Sequence, residues 1–123
     1  MKKILIAEDN PPSRELLREI LEAEGYDVLE ACDGQEALET IVTANPDLIL
    51  MDIQMPIKDG LKVVSEVRQD PRFAKVPIMA LTAYAMAGDE ERMLAAGFDA
   101  YIAKPIITAV LRKQIEERLN RPT

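Results

Sequence analysis

The sequence predicts an α/β fold in which one parallel sheet is covered by helices on both faces. Five short apolar segments, bounded by turn residues, alternate along the chain with five amphipathic helical patterns. Strands that alternate with helices run parallel, because right-handed crossovers bring the chain back to the same end of the sheet. A second observation orders the strands. The first, third and fourth segments are almost wholly apolar, as central strands are, whereas the second carries Asp27 and Glu30 and belongs at an edge.

The expected strands are residues 4–7, 27–31, 48–51, 78–81 and 100–102. Placing the second strand at an edge gives the order 2-1-3-4-5, the flavodoxin-like, doubly wound (βα)5 arrangement. A chain of 123 residues has the size of one common domain, so residues 1–123 are expected to form a single domain.

Capping and turn residues bound the five expected helices. The first begins at Asn10-Pro11 and ends at Gly25, because Asn caps helices, Pro fits the first turn and Gly tolerates the left-handed end. The others are expected between Asp33 and Asn45, between Asp59 and Asp70, over 85–96, and over 106–119. The apolar stripes expected to face the sheet are Leu16, Leu17, Ile20 and Leu21; Ala37, Leu38, Ile41 and Val42; Leu61, Val64 and Val67; and Val110, Leu111, Ile115 and Leu119.

Composition and charge exclude several classes of protein. The chain is 48% hydrophobic and 30% charged, which is typical of globular domains. Its formal charge of −7 argues against nucleic-acid binding, because contact with a phosphate backbone needs a clustered positive face. No segment has the length of a membrane span and the apolar run 4–7 is too short for a secretory signal, so a cytoplasmic location is expected. One cysteine, Cys32, and no histidine leave no intramolecular disulfide and no Cys/His metal site.

Polar side chains follow four of the expected strands. Glu8 and Asp9 come directly after the first strand, Asp52 after the third, Thr82 after the fourth and Lys104 after the fifth. In open α/β sheets, ligands bind beyond the carboxyl ends of the strands, near the point where the strand order reverses. That point lies between the first and third strands, so the three acids are expected to meet there, with the hydroxyl and the amine on the same side.

These residue types favour metal-assisted phosphoryl chemistry on an aspartate. Clustered carboxylates repel one another unless a cation compensates them, and a site with only oxygen ligands suits Mg²⁺ better than Ca²⁺, which needs more protein oxygens. If Asp52 attacks a phosphoryl donor, an acyl phosphate forms, and Mg²⁺, Lys104 and Thr82 would neutralise its charge. Taken singly, Asp9 is more often a helix cap, Thr82 a turn residue and Lys104 a surface amine. Their joint placement favours the phosphoryl site.

The motifs at these positions resemble a known family. They are Glu8-Asp9-Asn10, the segment 50–56 around Asp52, Gly60, Thr82-Ala83 and Lys104-Pro105. Together they are similar to the signature of the receiver domain of bacterial two-component response regulators, over essentially the whole chain. The segments 82–92 and 101–106 look particularly like stand-alone receivers of the DivK type and receivers of hybrid sensor kinases.

The resemblance implies roles for the residues of the site. Asp52 would accept a phosphoryl group from a phosphohistidine on a histidine kinase or a histidine phosphotransfer protein. Asp9, Asp52 and the main-chain carbonyl of Gln54 would hold Mg²⁺, with Glu8 acting through a bound water. Lys104 would contact the phosphoryl group, and its bond to Pro105 is cis in the family.

The resemblance also implies a switch. Thr82 would move towards the phosphoryl group and Tyr101 would rotate inward, which reshapes the face of helix 4, strand 5 and helix 5 for a downstream protein target. Gln54 and Tyr84 occupy positions that vary in the family and modulate access of water to the acyl phosphate. The bulk of Tyr84 suggests a long-lived phosphorylated form.

The phosphoryl donor needs a surface beside the site on which to dock. It is expected to bind near helix 1 and the loop after strand 5, where it could present a histidine to Asp52. The expected docking residues are Pro12, Ser13 and Ile106.

Three alternatives stay open at this point. The chain could be a receiver cut from a hybrid histidine kinase. A phosphatase of the haloacid dehalogenase type also uses a nucleophilic Asp, but it needs a second Asp two residues on, where this chain has Gln54, which cannot act as a general acid. A flavin or nucleotide binder shares the fold but needs a first loop rich in amide donors, and here that loop is 8–12, with two acids and two prolines.

Overall fold

The computed structural model describes residues 2–55, 57–83 and 89–119. A five-stranded parallel sheet has the strand order β2-β1-β3-β4-β5, which confirms the predicted doubly wound fold. The strands are β1 (Lys3–Ala7), β2 (Asp27–Ala31), β3 (Leu48–Asp52), β4 (Ile78–Thr82) and β5 (Ala100–Ala103). The helices are α1 (Pro11–Ala23), α2 (Gly34–Ala44), α3 (Gly60–Arg68), α4 (Asp89–Ala96) and α5 (Thr108–Leu119).

Three helices begin at the capping residues expected from the sequence. The side chains of Asn10, Asp33 and Asp59 each accept a hydrogen bond from the backbone N–H three residues further on, at the starts of α1, α2 and α3. Helix α2 ends at Asn45, whose φ of 52° is the left-handed conformation that Asn tolerates. These helix starts place the loops after β1, β2 and β3.

Two apolar cores lie on the two faces of the sheet. One contains side chains of α2, α3 and α4, such as Ile41, Val64 and Met93. The other contains side chains of α1 and α5, such as Leu17 and Ile115. Strands β3 and β4 are buried along their whole length, as expected for central strands covered on both faces.

Some details of the helices differ from the expectations. Leu16, Val42 and Val110 were expected to face the sheet, but they are 47%, 44% and 43% exposed, because each helix buries a narrower stripe than its apolar pattern suggests. Helix α5 begins at Thr108 rather than at 106. Helix α4 begins at Asp89 within the described residues, and the expected positions 85–88 lie outside them.

A single 3-10 turn, Pro71–Phe73, was not predicted. Arg68 holds it in place, because its guanidinium donates hydrogen bonds to the carbonyl oxygens of Phe73 and Gly97 and to the carboxylate of Asp99. The end of α3 is thereby tied to the turn that precedes β5. No helix in the described ranges is long and apolar enough to cross a membrane.

The contrast between two adjacent leucines of α1 is testable. Leu17 is 1% exposed in the core beneath α1, so Leu17→Ala should lower the free energy of unfolding by about 2–5 kcal/mol through lost burial and the cavity left behind. Leu16→Ala is the matched control and should cost about 0.5 kcal/mol, because its side chain already contacts water. Urea denaturation of both variants measures the difference, and equal losses would mean that α1 is rotated about its axis from the orientation that buries Leu17.

Candidate functional site

Three carboxylates meet at the carboxyl ends of two adjacent strands. Asp52 is the last residue of β3, and Glu8 and Asp9 follow β1, its neighbour in the sheet. One oxygen from each carboxylate lies within 4.8 Å of the others. Glu8 and Asp52 are buried and Asp9 is exposed. The structure therefore brings together the three acids that the strand ends predicted.

Lys104 connects two of these acids. Its ammonium donates hydrogen bonds to Oε2 of Glu8 at 2.7 Å and to Oδ2 of Asp52 at 2.9 Å. Its backbone N–H donates to the carbonyl oxygen of Thr82 at 2.8 Å, which holds the end of β5 against the end of β4. The bond from Lys104 to Pro105 is cis, as the resemblance implied. Lys104 thus supplies a positive charge at the point where two buried carboxylates need one.

The environment shifts the pKa values of Glu8 and Lys104. Burial raises the pKa of Glu8 above its ordinary value of 4.5; the hydrogen bond from Lys104 opposes the rise, and the charge of Asp52 adds to it. Burial acts to lower the pKa of Lys104, but the hydrogen bonds and charges of Glu8 and Asp52 outweigh it and raise that pKa above 10.5. The ammonium is therefore charged at neutral pH.

The loop after β1 is fixed by its own residues. Oε1 of Glu8 accepts a hydrogen bond from the backbone N–H of Asn10 at 3.2 Å, and Asn10 itself caps α1. Because Asn10 is the cap, the alternative that Asp9 is a capping residue is wrong. Among the residues that the structure describes, none pairs with the Asp9 carboxylate, which is exposed to solvent. Arg14 donates to the carbonyl oxygen of Glu8 at 2.9 Å, a contact that no local sequence signal predicts.

The loop after β3 orients the other side of the site. The backbone N–H of Gln54 donates to Oδ1 of Asp52 at 2.9 Å, and the N–H of Gly60 donates to the carbonyl oxygen of Ile53 at 2.9 Å. The side chain of Gln54 is exposed. Ile57 has a φ of 70°, a left-handed conformation that a β-branched residue rarely adopts. Within the described residues, the hydrogen bonds of Gln54 and Gly60 therefore hold the two ends of this loop.

Two further predicted residues, Thr82 and Tyr101, lie in β4 and β5. Thr82 is buried at the end of β4. Tyr101 is half-buried in β5 and lines two cavities, one of about 210 Å³ beside α4 and one of about 390 Å³ beside α5. Tyr84, the predicted modulating residue, lies outside the described residues.

The donor set of the acidic cluster fits Mg²⁺. Glu8, Asp9 and Asp52 offer only carboxylate oxygens, the hard ligands that Mg²⁺ prefers, and the exposed Asp9 gives access from solvent. The backbone turn at Gln54 lies directly beside Asp52 because of the hydrogen bond between them.

A second group of possible ligands has a different explanation. Cys32, Asp33 and Glu36 lie together at the start of α2, where Asp33 accepts from the N–H of Glu36 and Glu36 accepts from the N–H of Cys32. This is a capping box, a common way to start a helix. The hydrogen bond to Glu36 raises the pKa of the Cys32 thiol, so the thiol is a poor nucleophile and has no evident part in the chemistry of the site.

Comparison with known proteins decides the family. The family described as "Response regulator receiver domain" matches residues 4–116. The chain belongs to this receiver family. It is 45% identical over 105 residues to the polar-differentiation response regulator DivK of Brucella ovis, over 85% of each chain. The resemblance to response-regulator receivers and to DivK is therefore confirmed.

Solved receiver structures have the same fold. The receiver domain of sensor histidine kinase PA1611 from Pseudomonas aeruginosa PAO1, with a magnesium ion coordinated in its active site cleft, has a TM-score of 0.91 and 36% identity over 98% of both chains. Chemotaxis response regulator CheY4 of Vibrio cholerae has a TM-score of 0.92 and 30% identity over 97% of this chain and 99% of that chain. The chain is thus a receiver domain of two-component signalling, which favours that function over the phosphatase and flavin-binding alternatives.

The raised pKa of Glu8 predicts a change in how stability depends on pH without Mg²⁺. Because the folded-state pKa lies above 4.5, the contribution of Glu8 to stability is fully present below pH 4.5 and is lost as the pH rises through the folded-state pKa. Glu8→Gln lacks this titration, so its free energy of unfolding should rise relative to the wild type as the pH is raised above 4.5. Urea denaturation at several pH values measures the difference.

The control is Glu15→Gln, which removes an exposed carboxylate of α1 away from the site. Its difference from the wild type should change little with pH over the same range. If Glu8→Gln and Glu15→Gln gave the same pH profile, the shift at Glu8 would be contradicted.

Proposed function

We propose that this receiver domain accepts a phosphoryl group on Asp52 from a phosphohistidine of a partner protein. The observation that carries the proposal is the position of the Asp52 carboxylate, which is buried at the end of β3, hydrogen-bonded by Lys104 and adjacent to Asp9. A carboxylate fixed in this way has its nucleophilic oxygens oriented before the donor arrives. Membership in the receiver family supports the same role.

In the proposed transfer, an oxygen of Asp52 attacks phosphorus, an O–P bond forms, and the P–N bond to the donor histidine breaks with its electron pair left on nitrogen. The product is an acyl phosphate whose phosphoryl oxygens carry a charge of about −2. Lys104 pairs with Asp52 before the transfer and would contact a phosphoryl oxygen after it. Thr82, at the end of the neighbouring strand, donates its hydroxyl to another phosphoryl oxygen.

Mg²⁺ is the proposed cofactor. Asp9, Asp52 and the main-chain oxygen of Gln54 would hold it, and Glu8 would act through a bound water. When bound, the metal neutralises charge on the phosphoryl oxygens as they approach the acids. The receiver domain of sensor histidine kinase PA1611, a structural neighbour, has a magnesium ion in its active site cleft, which supports this assignment.

The proposed output is a change of surface around Tyr101. Tyr101 lines two cavities, which would give its ring room to change rotamer when Thr82 moves to the phosphoryl group. The face formed by α4, β5 and α5 carries the exposed apolar side chains of Leu94 and Val110. A downstream protein target would read the phosphorylated state there. Gln54 and Tyr84 are proposed to set how long that state lasts.

The proposed donor is a histidine kinase or a histidine phosphotransfer protein that docks beside the site. Of the expected docking residues, Pro12 is exposed, Ser13 is partly exposed, and Ile106 is half-buried against the core beneath α5. The structure adds two exposed apolar side chains near them, Leu16 in α1 and Ile107 in the loop before α5. A few side chains supply most of the binding energy of a protein interface, so substitutions at these exposed positions test the docking surface.

In this proposal, residues 1–123 form a single receiver domain, either a response regulator of its own or part of a hybrid kinase. The cytoplasmic location expected from the sequence stays a prediction. The domain has no proposed activity towards other substrates, because its chemistry is limited to its own phosphorylation and dephosphorylation.

The phosphoacceptor assignment is tested by intact-mass spectrometry after incubation with acetyl phosphate. The wild type should gain one phosphoryl group only when Mg²⁺ is present, because the metal offsets repulsion between the donor and the acids. Asp52→Asn should gain none. Asp47→Asn, at the opposite end of β3, is the control and should behave as the wild type does. An adduct that persists in Asp52→Asn would contradict the assignment.

The docking surface is tested by phosphotransfer from the phosphorylated cognate kinase. Ile107→Ser and Pro12→Ser should slow transfer about tenfold, the effect of losing one apolar contact of an interface. Both variants should still react normally with acetyl phosphate, since neither residue belongs to the site. Val42→Ser, an exposed change at the far end of α2, is the matched control. Normal transfer to the Ile107 and Pro12 variants would overturn the docking model.

A further inference from the structure

Two glycines make room for the backbone of the loop that follows Asp52. A Cβ atom at Gly60 would lie 2.5 Å from the carbonyl oxygen of Asp52. A Cβ atom at Gly34 would lie only 1.8 Å from the carbonyl oxygen of Lys58. Gly60 belongs to the loop's own helix, α3, whereas Gly34 is the first residue of α2. The start of α2 therefore packs against this loop from a different element of the fold.

The start of α2 is rigid. Gly34 is buried and follows the cap Asp33, whose carboxylate accepts from the N–H of Glu36 at 2.8 Å. Glu36 in turn accepts from the N–H of Cys32 at 3.2 Å, so the first turn of α2 is fixed from both directions. The capping box therefore keeps Gly34 in place beside the loop.

The loop is equally constrained on its own side. The ammonium of Lys58 pairs with Glu66 of α3 at 2.8 Å, while the carbonyl of the same residue rests against Gly34. The N–H of Gly60 closes the loop onto Ile53. An added methyl group at position 34 would need the Lys58 carbonyl to retreat by about 1.2 Å to reach even a 3.0 Å contact. Because a carbonyl is backbone, the displacement passes through Gly60, whose N–H donates to the carbonyl oxygen of Ile53, to the backbone next to Asp52 and Gln54.

We propose that Gly34 is a positioning residue for the phosphoacceptor loop. Because Gly34 has no side chain, the start of α2 can pack against Lys58 and fix the position of the loop. The Gln54 backbone and the Asp52 carboxylate would then be placed to hold Mg²⁺. This inference rests on the proposed function, because it assigns Gly34 a part in the same Mg²⁺ and phosphoryl site. Gly34 itself touches neither the metal nor the phosphoryl group, so it acts only through Lys58 and the loop.

The test is Gly34→Ala, compared with Gly97→Ala. Isothermal titration calorimetry should show Mg²⁺ binding to Gly34→Ala at least tenfold weaker than to the wild type, a loss typical of disturbed supporting contacts around a metal. Gly97→Ala is the matched control, because it would also strain the fold, but at the other end of the sheet. The φ of Gly97 is 118°, and an added Cβ atom would lie 2.7 Å from the Cγ atom of Arg68. Its Mg²⁺ affinity should stay within about twofold of the wild type.

A second readout does not depend on bound metal. In the Mg²⁺-free protein, the backbone amide signals of Ile53 and Gln54 should shift in Gly34→Ala and stay unchanged in Gly97→Ala. Phosphorylation by acetyl phosphate at saturating Mg²⁺ should also be slower in Gly34→Ala, by up to about a hundredfold if the loop moves by about 1 Å.

Two results would overturn the proposal: a folded Gly34→Ala variant with normal Mg²⁺ affinity, or an equal loss in Gly97→Ala, which would mean general destabilisation. If Gly34→Ala does not fold, Asp33→Ala decides, because losing the cap loosens the same turn; unchanged Mg²⁺ affinity there would overturn the proposal and a loss of about threefold or more would support it. A wild type that gains no phosphoryl group would refute the proposed function, while the amide shifts would still report on Gly34.

Discussion

The pair of hydrogen bonds from Lys104 to Glu8 and Asp52 is the interaction on which the rest of the site depends. Two buried carboxylates next to each other are costly unless a cation compensates them, and Lys104 supplies that charge at 2.7 and 2.9 Å. Lys104 follows β5, whereas Glu8 follows β1, which is separated from β5 by β3 and β4 in the sheet. The contact is possible because the carboxyl ends of all these parallel strands lie at one edge of the sheet. In addition, the carbonyl oxygen of Thr82 holds the backbone N–H of Lys104 in place.

Lys104 compensates two of the acids and leaves the third for another cation. Its ammonium contacts Glu8 and Asp52, and within the described ranges it makes no bond to Asp9. In the proposed function, Lys104 and Mg²⁺ would therefore contact different pairs of acids, with Asp52 shared between them. A phosphoryl group on Asp52 would lie next to both positive charges, which favours Asp52 over the exposed Asp9 as the proposed acceptor.

The sequence predicted the features that depend on local signals. Caps such as Asn10 and Asp33 are read from single residues, and the meeting of Glu8, Asp52 and Lys104 follows from the rule that parallel strands end at one edge. The exposure of Leu16 was not predictable, because the apolar pattern of a helix does not say how wide a stripe its neighbours cover. The contact between Gly34 and the Lys58 carbonyl joins residues 24 positions apart, and a glycine beside a helix cap carries no signal of it.

The two sides of the site are built for different tasks. On the acid side, Asp52 and its loop are held by Lys104, by the Gln54 amide and by the close approach of Gly34, and Ile57 keeps an unfavourable backbone conformation there. Strain of this kind persists only where the surroundings determine the path of the chain. On the other side, Tyr101 lines two cavities. In the proposed function, a phosphoryl group on the fixed Asp52 would act on this side, where α4, β5 and α5 meet.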